Sequence, residues 1–561
     1  MKREDFSFIQ LSSLEKVFLD ERPKASEQTS ISILKDERFS YQIAYAYTGE
    51  ENKDSHKFEF KISIDSPLAK YVKIRSVTNV PVELSHYPNV CDDGYLRKRP
   101  GLYPDALREM KKDSFEAIPN LWHSLWITVD PRAEMDAGEY ELEINFDYED
   151  VKIVKTMKVK IINACLSKDK PLLANFFHSD CLASVYNVKM YSEKHWEIID
   201  RFMKCAVNNG VNSIYTPLFS IPLDTNPGCS RPACQLVDIT VNNGEYSFDF
   251  SKLRRWISLF KKNGGDYLEI SHIFSQWGAK FAPRIIAKVN GRKKEIFGWH
   301  TANTSPEYSR FLHLCIPALI KVLRDEGVED RAVFHISDEP HMHTLDSYMA
   351  AKGVVDDLLE DYKIIEACSV PDIHLSGAVK YPIVHIPNVE EYLERNITPF
   401  GLYFCCSTSY GDYGNRFIDM PSYRNRIIGT QMFKFGINCL LHFGFNYYFE
   451  RATTGGTDKV INPFLATDAG NAIPGGNGYV VYPGEGGYPV DSMRLDVTFN
   501  ALQDIRAMKV LEGYIGHDKV VEIIDRLAGA EIKMNQYPKN SSYILELREL
   551  VNEEIERAIQ K

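Results

Sequence analysis

Between residues 173 and 443 the chain repeats one unit eight times, a short apolar run followed in most cases by a helical stretch. The runs are 173–177, 213–216, 267–270, 332–336, 363–367, 383–386, 402–405 and 439–443. Residues 193–208, 253–262, 309–326, 345–360 and 424–435 carry apolar side chains at helical spacing. A helix long enough to return the chain sets successive strands parallel, and eight such units close into a (β/α)₈ barrel. The competing open doubly wound sheet would need a Gly-x-Gly-x-x-Gly turn after one of its strands, and no run is followed by one.

The residues ahead of the barrel follow a different period. Lys57-Phe58-Glu59-Phe60-Lys61-Ile62-Ser63-Ile64 alternates polar and apolar without a break, as do 121–129, 140–146 and 154–162. Strands at this spacing, with Pro and Gly turns between them, predict a β-sandwich. The charged linker Lys168-Asp169-Lys170-Pro171 follows. The sequence therefore divides into a sandwich over 1–167, a barrel over 168–515 and a helical extension over 516–561, with 546–561 expected as a solvated helix face.

Composition narrows the function. Hydrophobic residues make up 44% and charged residues 25% of 561, the balance of a folded globular protein. A net charge of −11 offers no overall field for a nucleic-acid backbone. No run reaches the ~20 apolar residues that span a bilayer. The start, Lys2-Arg3-Glu4-Asp5-Phe6, leads into no signal-like segment, which predicts a cytoplasmic protein. Eleven cysteines read as reduced thiols: Cys405-Cys406 is too cramped to bridge without strain, and Cys229 and Cys234 lack a second pair to complete a zinc site. Aromatic residues reach 12%, and aromatic faces suit the C–H faces of sugar rings.

The sharpest local feature is Phe334-His335-Ile336-Ser337-Asp338-Glu339-Pro340, an apolar run that ends in two adjacent carboxylates. In a barrel the C-terminal strand ends open into the active site. Two carboxylates in unlike environments allow one to ionise while its neighbour holds a proton. Helix capping accounts for Ser337, Asp338 and Pro340 but gives no reason for the whole run. Other strand ends and loops supply His178, Asp180, Thr216, Gln276, Trp277, Trp299, His300, Asn446 and Tyr447, a bowl with aromatic walls and a hydrogen-bonding rim, with His335 beside the carboxylates. His341 and His343 stand two apart, a spacing that separates their rings on a helix, so neither metal nor cofactor is expected.

A retaining glycosidase usually sets a second carboxylate ~5 Å from its acid. The seventh run, Leu402-Tyr403-Phe404-Cys405-Cys406-Ser407, has none. A 2-acetamido substrate removes the need, because its own carbonyl oxygen attacks the anomeric carbon. Otherwise the partner carboxylate must be remote, with Asp180, Asp224 and Glu450 as candidates, or the bowl binds carbohydrate without chemistry.

The segments HISDEP (335–340), FHSDCLA (177–183), FSQWGAK (274–280) and IFGWHT (296–301), with LWITVDP, DAGEYELEI and the late GYVVYPG and SMRL, resemble glycoside hydrolase family 123 and its relatives of domain of unknown function 4091. The resemblance runs from about residue 120 to 510. It implies a sandwich followed by a barrel and a retaining β-N-acetylgalactosaminidase-type reaction, exo-acting on a carbohydrate or glycoconjugate. Asp338 would polarise the acetamido group and Glu339 would serve as general acid/base. Tyr403 or Tyr447 would bind the acetamido carbonyl. An exposed sandwich face could pair two copies of the chain.

Overall fold

The computed structural model describes residues 2–49, 57–450 and 459–560. Eight parallel strands close into a barrel in chain order: Leu172–Asn175, Ser213–Thr216, Tyr267–Ile270, Ala332–Phe334, Lys363–Ala367, Tyr381–His385, Gly401–Tyr403 and Cys439–His442. The eighth strand pairs back onto the first, from Leu172↔Cys439 to Asn175↔His442. Alternation decides what fills the barrel. Leu172, Ala174, Tyr215, Val333, Ile365, Cys439 and Leu441 form the inner cluster. Their neighbours Leu173, Ile214 and Leu440 point outward to the helices.

The helices expected at 193–208, 253–262, 309–326 and 424–435 appear as Glu193–Asn208, Ser251–Asn263, Pro306–Asp325 and Ser422–Lys434. Ser192 and Ser305 cap two of them by accepting the N–H of His195 and Tyr308. The stretch 345–360 is not one helix. It breaks at Val354-Val355, just after Gly353, into Leu345–Gly353 and Asp356–Leu359. A four-stranded sheet that the eightfold pattern does not foretell lies between barrel strands, built from Asp238–Asn242, Glu245–Asp249, Ile285–Val289 and Arg292–Phe297. Its strands are short and its Lys/Arg-rich outer hairpin masks the alternation.

Ahead of the barrel, a seven-stranded and a five-stranded sheet enclose a core of Phe8, Phe39, Ile43, Phe60, Leu125, Ile144 and Phe146. The seven-stranded sheet takes its last two strands, Val481–Pro483 and Pro489–Ser492, from beyond the barrel, with Asp491↔Leu107 and Ser492↔Ala106 as the joining pairs. The terminal helix Ser541–Ile559 corrects the expectation of a solvated face. Tyr543, Ile544, Leu547, Val551 and Ile555, three and four apart, are buried, and Glu549 accepts the backbone N–H of Ser32 at 2.8 Å. Even some of its charges are docked, Arg548 being buried against Glu37 at 2.6 Å. All eleven cysteines are free thiols, as expected.

One buried ion pair joins the two halves. Asp105, on the sandwich strand Gly101–Glu109, accepts from Nε and Nη2 of Arg494 at 2.9–3.1 Å, and Tyr482 donates to the same carboxylate at 2.6 Å. Arg494 opens the long helix Met493–Ile515 and also donates to the Tyr479 carbonyl at 2.8 Å. Removing one partner strands the other charge out of water. Arg494→Leu should lower folding stability by about 3–5 kcal/mol. An unchanged thermal midpoint would show that the pair does not hold the halves together.

Candidate active site

Asp338 and Glu339 lie just beyond the fourth barrel strand, where Ser337 is fully buried and both carboxylates become half-buried. The backbone here is pinned from the third-strand side: the N–H groups of Ile273, Phe274 and Trp277 donate to the carbonyls of His335, Ile336 and Asp338 at 3.2, 2.9 and 3.0 Å. Glu339 and Trp277 adopt left-handed φ values of 49° and 57°. Such strain costs of order 1–3 kcal/mol per residue and persists where the surroundings impose it. With this backbone Glu339 meets Tyr403 and Trp277, contacts that Asp338 does not share.

Glu339 is held from two walls. Tyr403, ending the seventh strand, donates its hydroxyl to Oε1 at 2.6 Å, and the half-exposed Trp277 donates its indole N–H to Oε2 at 3.3 Å. Asp338 has no such help: among the described residues no hydrogen bond reaches its carboxylate. Burial, then the negative charge of Glu339, raise its pKa well above the ordinary carboxylate range.

A second cluster lines the opening from the first, second and eighth strand ends. Asp180 is fully buried in a bidentate pair with Arg231, at 2.8 and 2.9 Å. Arg231 Nη2 also donates to His178 Nδ1 at 2.9 Å, while His178 Nε2 donates to the Phe443 carbonyl at 2.7 Å. Burial and the guanidinium push His178 down to about 3, so it stays neutral. Asn446 exchanges both its amide groups with the His178 backbone, at 2.8 and 3.0 Å. Tyr447 packs edge-on to His178 and donates its hydroxyl to Asp224. Gln276 accepts the Asp224 N–H at 2.6 Å and precedes Trp277 in the chain, which ties this cluster to the carboxylate pair.

The remaining expected residues stand farther out. Trp299 donates to the Cys229 carbonyl at 2.7 Å and so braces the loop that carries Arg231. His300 is 60% exposed and faces Glu295 at 3.9 Å. Thr216 faces outward, its hydroxyl between the Ile214 carbonyl and the indole N–H of Trp256. Alternation along the second strand sends Tyr215, not Thr216, into the barrel. His335 lies beneath the mouth, where Nε2 donates to Glu269 at 2.7 Å and Ser213 donates to the same carboxylate at 2.9 Å. Glu450 is half-exposed beside Lys459 at 3.6 Å.

Several residues of this site escape a reading by motifs. Arg231 sits in an irregular loop, and only the need of buried Asp180 for a cation could have pointed to it. His385, Ser369 and Cys405 back Tyr403: the His385 ring lies 5.0 Å from the Tyr403 ring, and the Ser369 hydroxyl lies 3.3 Å from its oxygen. His272, His335 and Glu366 offer ligand atoms within 4.8 Å of one another. The two imidazoles are stacked, 4.3 Å apart and 18° from parallel, so their in-plane lone pairs run side by side instead of meeting at one ion. Tyr215 shares a hydrogen bond with His272 Nδ1 at 2.8 Å, which extends this layer as a hydrogen-bonded network.

The model of the glycoside hydrolase 123 catalytic domain matches residues 176–511. A solved family 123 glycoside hydrolase from Clostridium perfringens, described for glycolipid glycan hydrolysis, shares the fold: TM-score 0.73 at 14% identity, over 99% of this chain and 98% of that one. A β-glucuronidase from Parabacteroides merdae covers 90% of this chain and 52% of its own length, but at 10% identity and a TM-score of 0.27. No curated protein matches the sequence. The family match takes in more than half of the chain and all the residues of both clusters, and the protein belongs to glycoside hydrolase family 123.

Proposed function

We propose that the protein is an exo-acting, retaining glycosidase that removes a terminal β-linked 2-acetamido sugar, of the N-acetylgalactosaminide type, from a glycoconjugate. The observation that carries this reading is the unequal pair: Glu339 held by Tyr403 and Trp277, and beside it Asp338, half-buried and without a donor among the described residues. The nearby acids Asp180, Glu269 and Glu366 are engaged by Arg231, His335 and the backbone respectively, which leaves them poorly suited to act as a nucleophile. The glycolipid glycans handled by the Clostridium perfringens relative fit the same substrate class.

The acetamido carbonyl oxygen bonds to the anomeric carbon as the glycosidic C–O bond breaks. Positive charge spreads onto the acetamido nitrogen, whose N–H donates to Asp338. That charge supplies the partner that the protein itself does not give Asp338 and draws it into its ionised form. The proton of the pair then resides on Glu339, which delivers it to the leaving oxygen. Water next attacks the anomeric carbon, Glu339 takes its proton, the acetamido group is released and the starting configuration is restored.

A panel of nitrophenyl glycosides tests the reading. The β-N-acetylgalactosaminide or β-N-acetylglucosaminide should be cleaved and the plain hexosides left intact, with Glu339→Gln slowing turnover by about 10²–10⁴-fold. Cleavage of a plain galactoside or glucoside would defeat substrate assistance and point to Asp224, which Tyr447 presents to the opening. A trifluoroacetamido analogue weakens the attacking carbonyl and should react much more slowly than the parent. Equal rates would exclude the acetamido oxygen as nucleophile.

The Asp338 shift carries a sign that thermal melts can read. A folded-state pKa above the unfolded value means that ionised Asp338 costs stability as pH rises. Asp338→Asn should therefore melt higher than wild type at pH 7. The gain should vanish below about pH 4, where the carboxyl is protonated in both states. A lower midpoint for Asp338→Asn at neutral pH would contradict the raised pKa.

A further inference from the structure

The regular barrel ladder stops at the fourth strand's end: Val333 and Phe334 pair with Lys363 and Ile364, and no further pair of residues joins these two strands. Beyond His335, the N–H groups toward the carboxylate pair belong to Ile336 and Ser337, both fully buried. Left without acceptors there, each would cost about 1–3 kcal/mol. A side chain replaces the missing strand. Oε1 of Glu366, on the fifth strand, accepts the N–H of Ile336 at 2.5 Å and of Ser337 at 3.2 Å. The same oxygen lies 3.3 Å from the hydroxyl of Tyr348, on the helix Leu345–Gly353 that follows the carboxylate loop. One oxygen thus ties the residues before Asp338-Glu339 to the element after them.

Resting on the assignment of Asp338 and Glu339 as the catalytic pair, we propose that Glu366 is its positioning residue, holding the loop so that the two carboxylates diverge and touching no substrate itself. The opposite side of the loop is already fastened by Ser337 Oγ to the Ser275 carbonyl at 2.7 Å and by Trp277 N–H to the Asp338 carbonyl. Glu366 closes the clamp from the fifth strand. Its other oxygen is buried without a hydrogen-bond partner. Burial, reinforced by the charge of Asp338, raises its pKa well above the ordinary range. In either protonation state Oε1 can accept the two N–H groups.

Glutamine keeps the acceptor oxygen and stays neutral; leucine keeps the bulk and loses the acceptor. With whichever glycoside wild type cleaves, Glu366→Gln should retain kcat within a few-fold. Glu366→Leu should lose about 10²-fold or more in kcat with KM little changed, the cost of a catalytic group misplaced by about 1 Å. Should the leucine variant fail to fold, Glu366→Asp withdraws the oxygen by one methylene and should lower kcat by about tenfold for a smaller misplacement. Hydrogen–deuterium exchange over residues 335–339 reads the clamp without any sugar: protection should survive in the glutamine variant and fall in the leucine or aspartate variant. Glutamine as damaging as leucine would mean that the charge itself takes part. Wild-type kcat in the leucine or aspartate variant, or unchanged exchange, would overturn the clamp. If no glycoside in the panel is cleaved, the sugar assignment fails and exchange alone decides the role of Glu366.

Discussion

A carboxylate taken out of water must find a cation or a set of N–H and O–H donors, and this requirement orders the whole barrel mouth. Asp180 has Arg231, Glu269 has His335 and Ser213, and Glu366 has two backbone N–H groups and sits beside a tyrosine hydroxyl. Asp105 has Arg494 at the seam between barrel and sandwich. Asp180, Glu269 and Asp105 are engaged on both oxygens by the fold itself, and Glu366 on one. Asp338 stands apart, because among the described residues no hydrogen bond reaches either oxygen of its carboxylate.

The uneven partnering also explains why two neighbours in sequence can divide the work. Were Asp338 and Glu339 in an ordinary extended strand, their side chains would point to opposite faces of the sheet. In a helix they would splay about the axis. The left-handed φ at Glu339 and the matching one at Trp277 give a third arrangement, in which both carboxylates reach the opening but only Glu339 meets Tyr403 and Trp277. Strain of this sort survives because the segment is fastened on both sides, by backbone bonds toward the third strand and by a carboxyl oxygen from the fifth. The clamp and the strain are two aspects of one design.

Much of this could be read from the chain because it rests on local periods. The eight strands appear where short apolar runs recur, and the Asp338-Glu339 pair stands at a strand end that the barrel geometry makes an opening. What could not be read depends on partners distant in sequence. Arg231 is 51 residues from Asp180, and Glu366 is 30 from Ile336; no spacing rule links them. Thr216 illustrates a subtler failure: the strand is correctly placed, but a shift of one residue decides which side chain faces the barrel, and that falls to Tyr215. The terminal helix shows the same limit: a high content of charged residues conceals an apolar stripe at spacings of three and four, and Arg548 itself is buried beside that stripe. The last two sandwich strands come from beyond the barrel, a return that only tertiary pairing can reveal.

That return has a consequence for the site. The chain that leaves the eighth strand contributes Asn446 and Tyr447 to the opening and then, through Tyr479 and Tyr482, runs to the Arg494–Asp105 pair. The backbone N–H of Tyr447 donates to the Gly478 carbonyl at 2.9 Å, on the segment that enters the seam. The aromatic wall of the opening is thus anchored to the joint between the two halves. The sandwich, which supplies no side chain to either cluster of the opening, still fixes one wall of it through this seam.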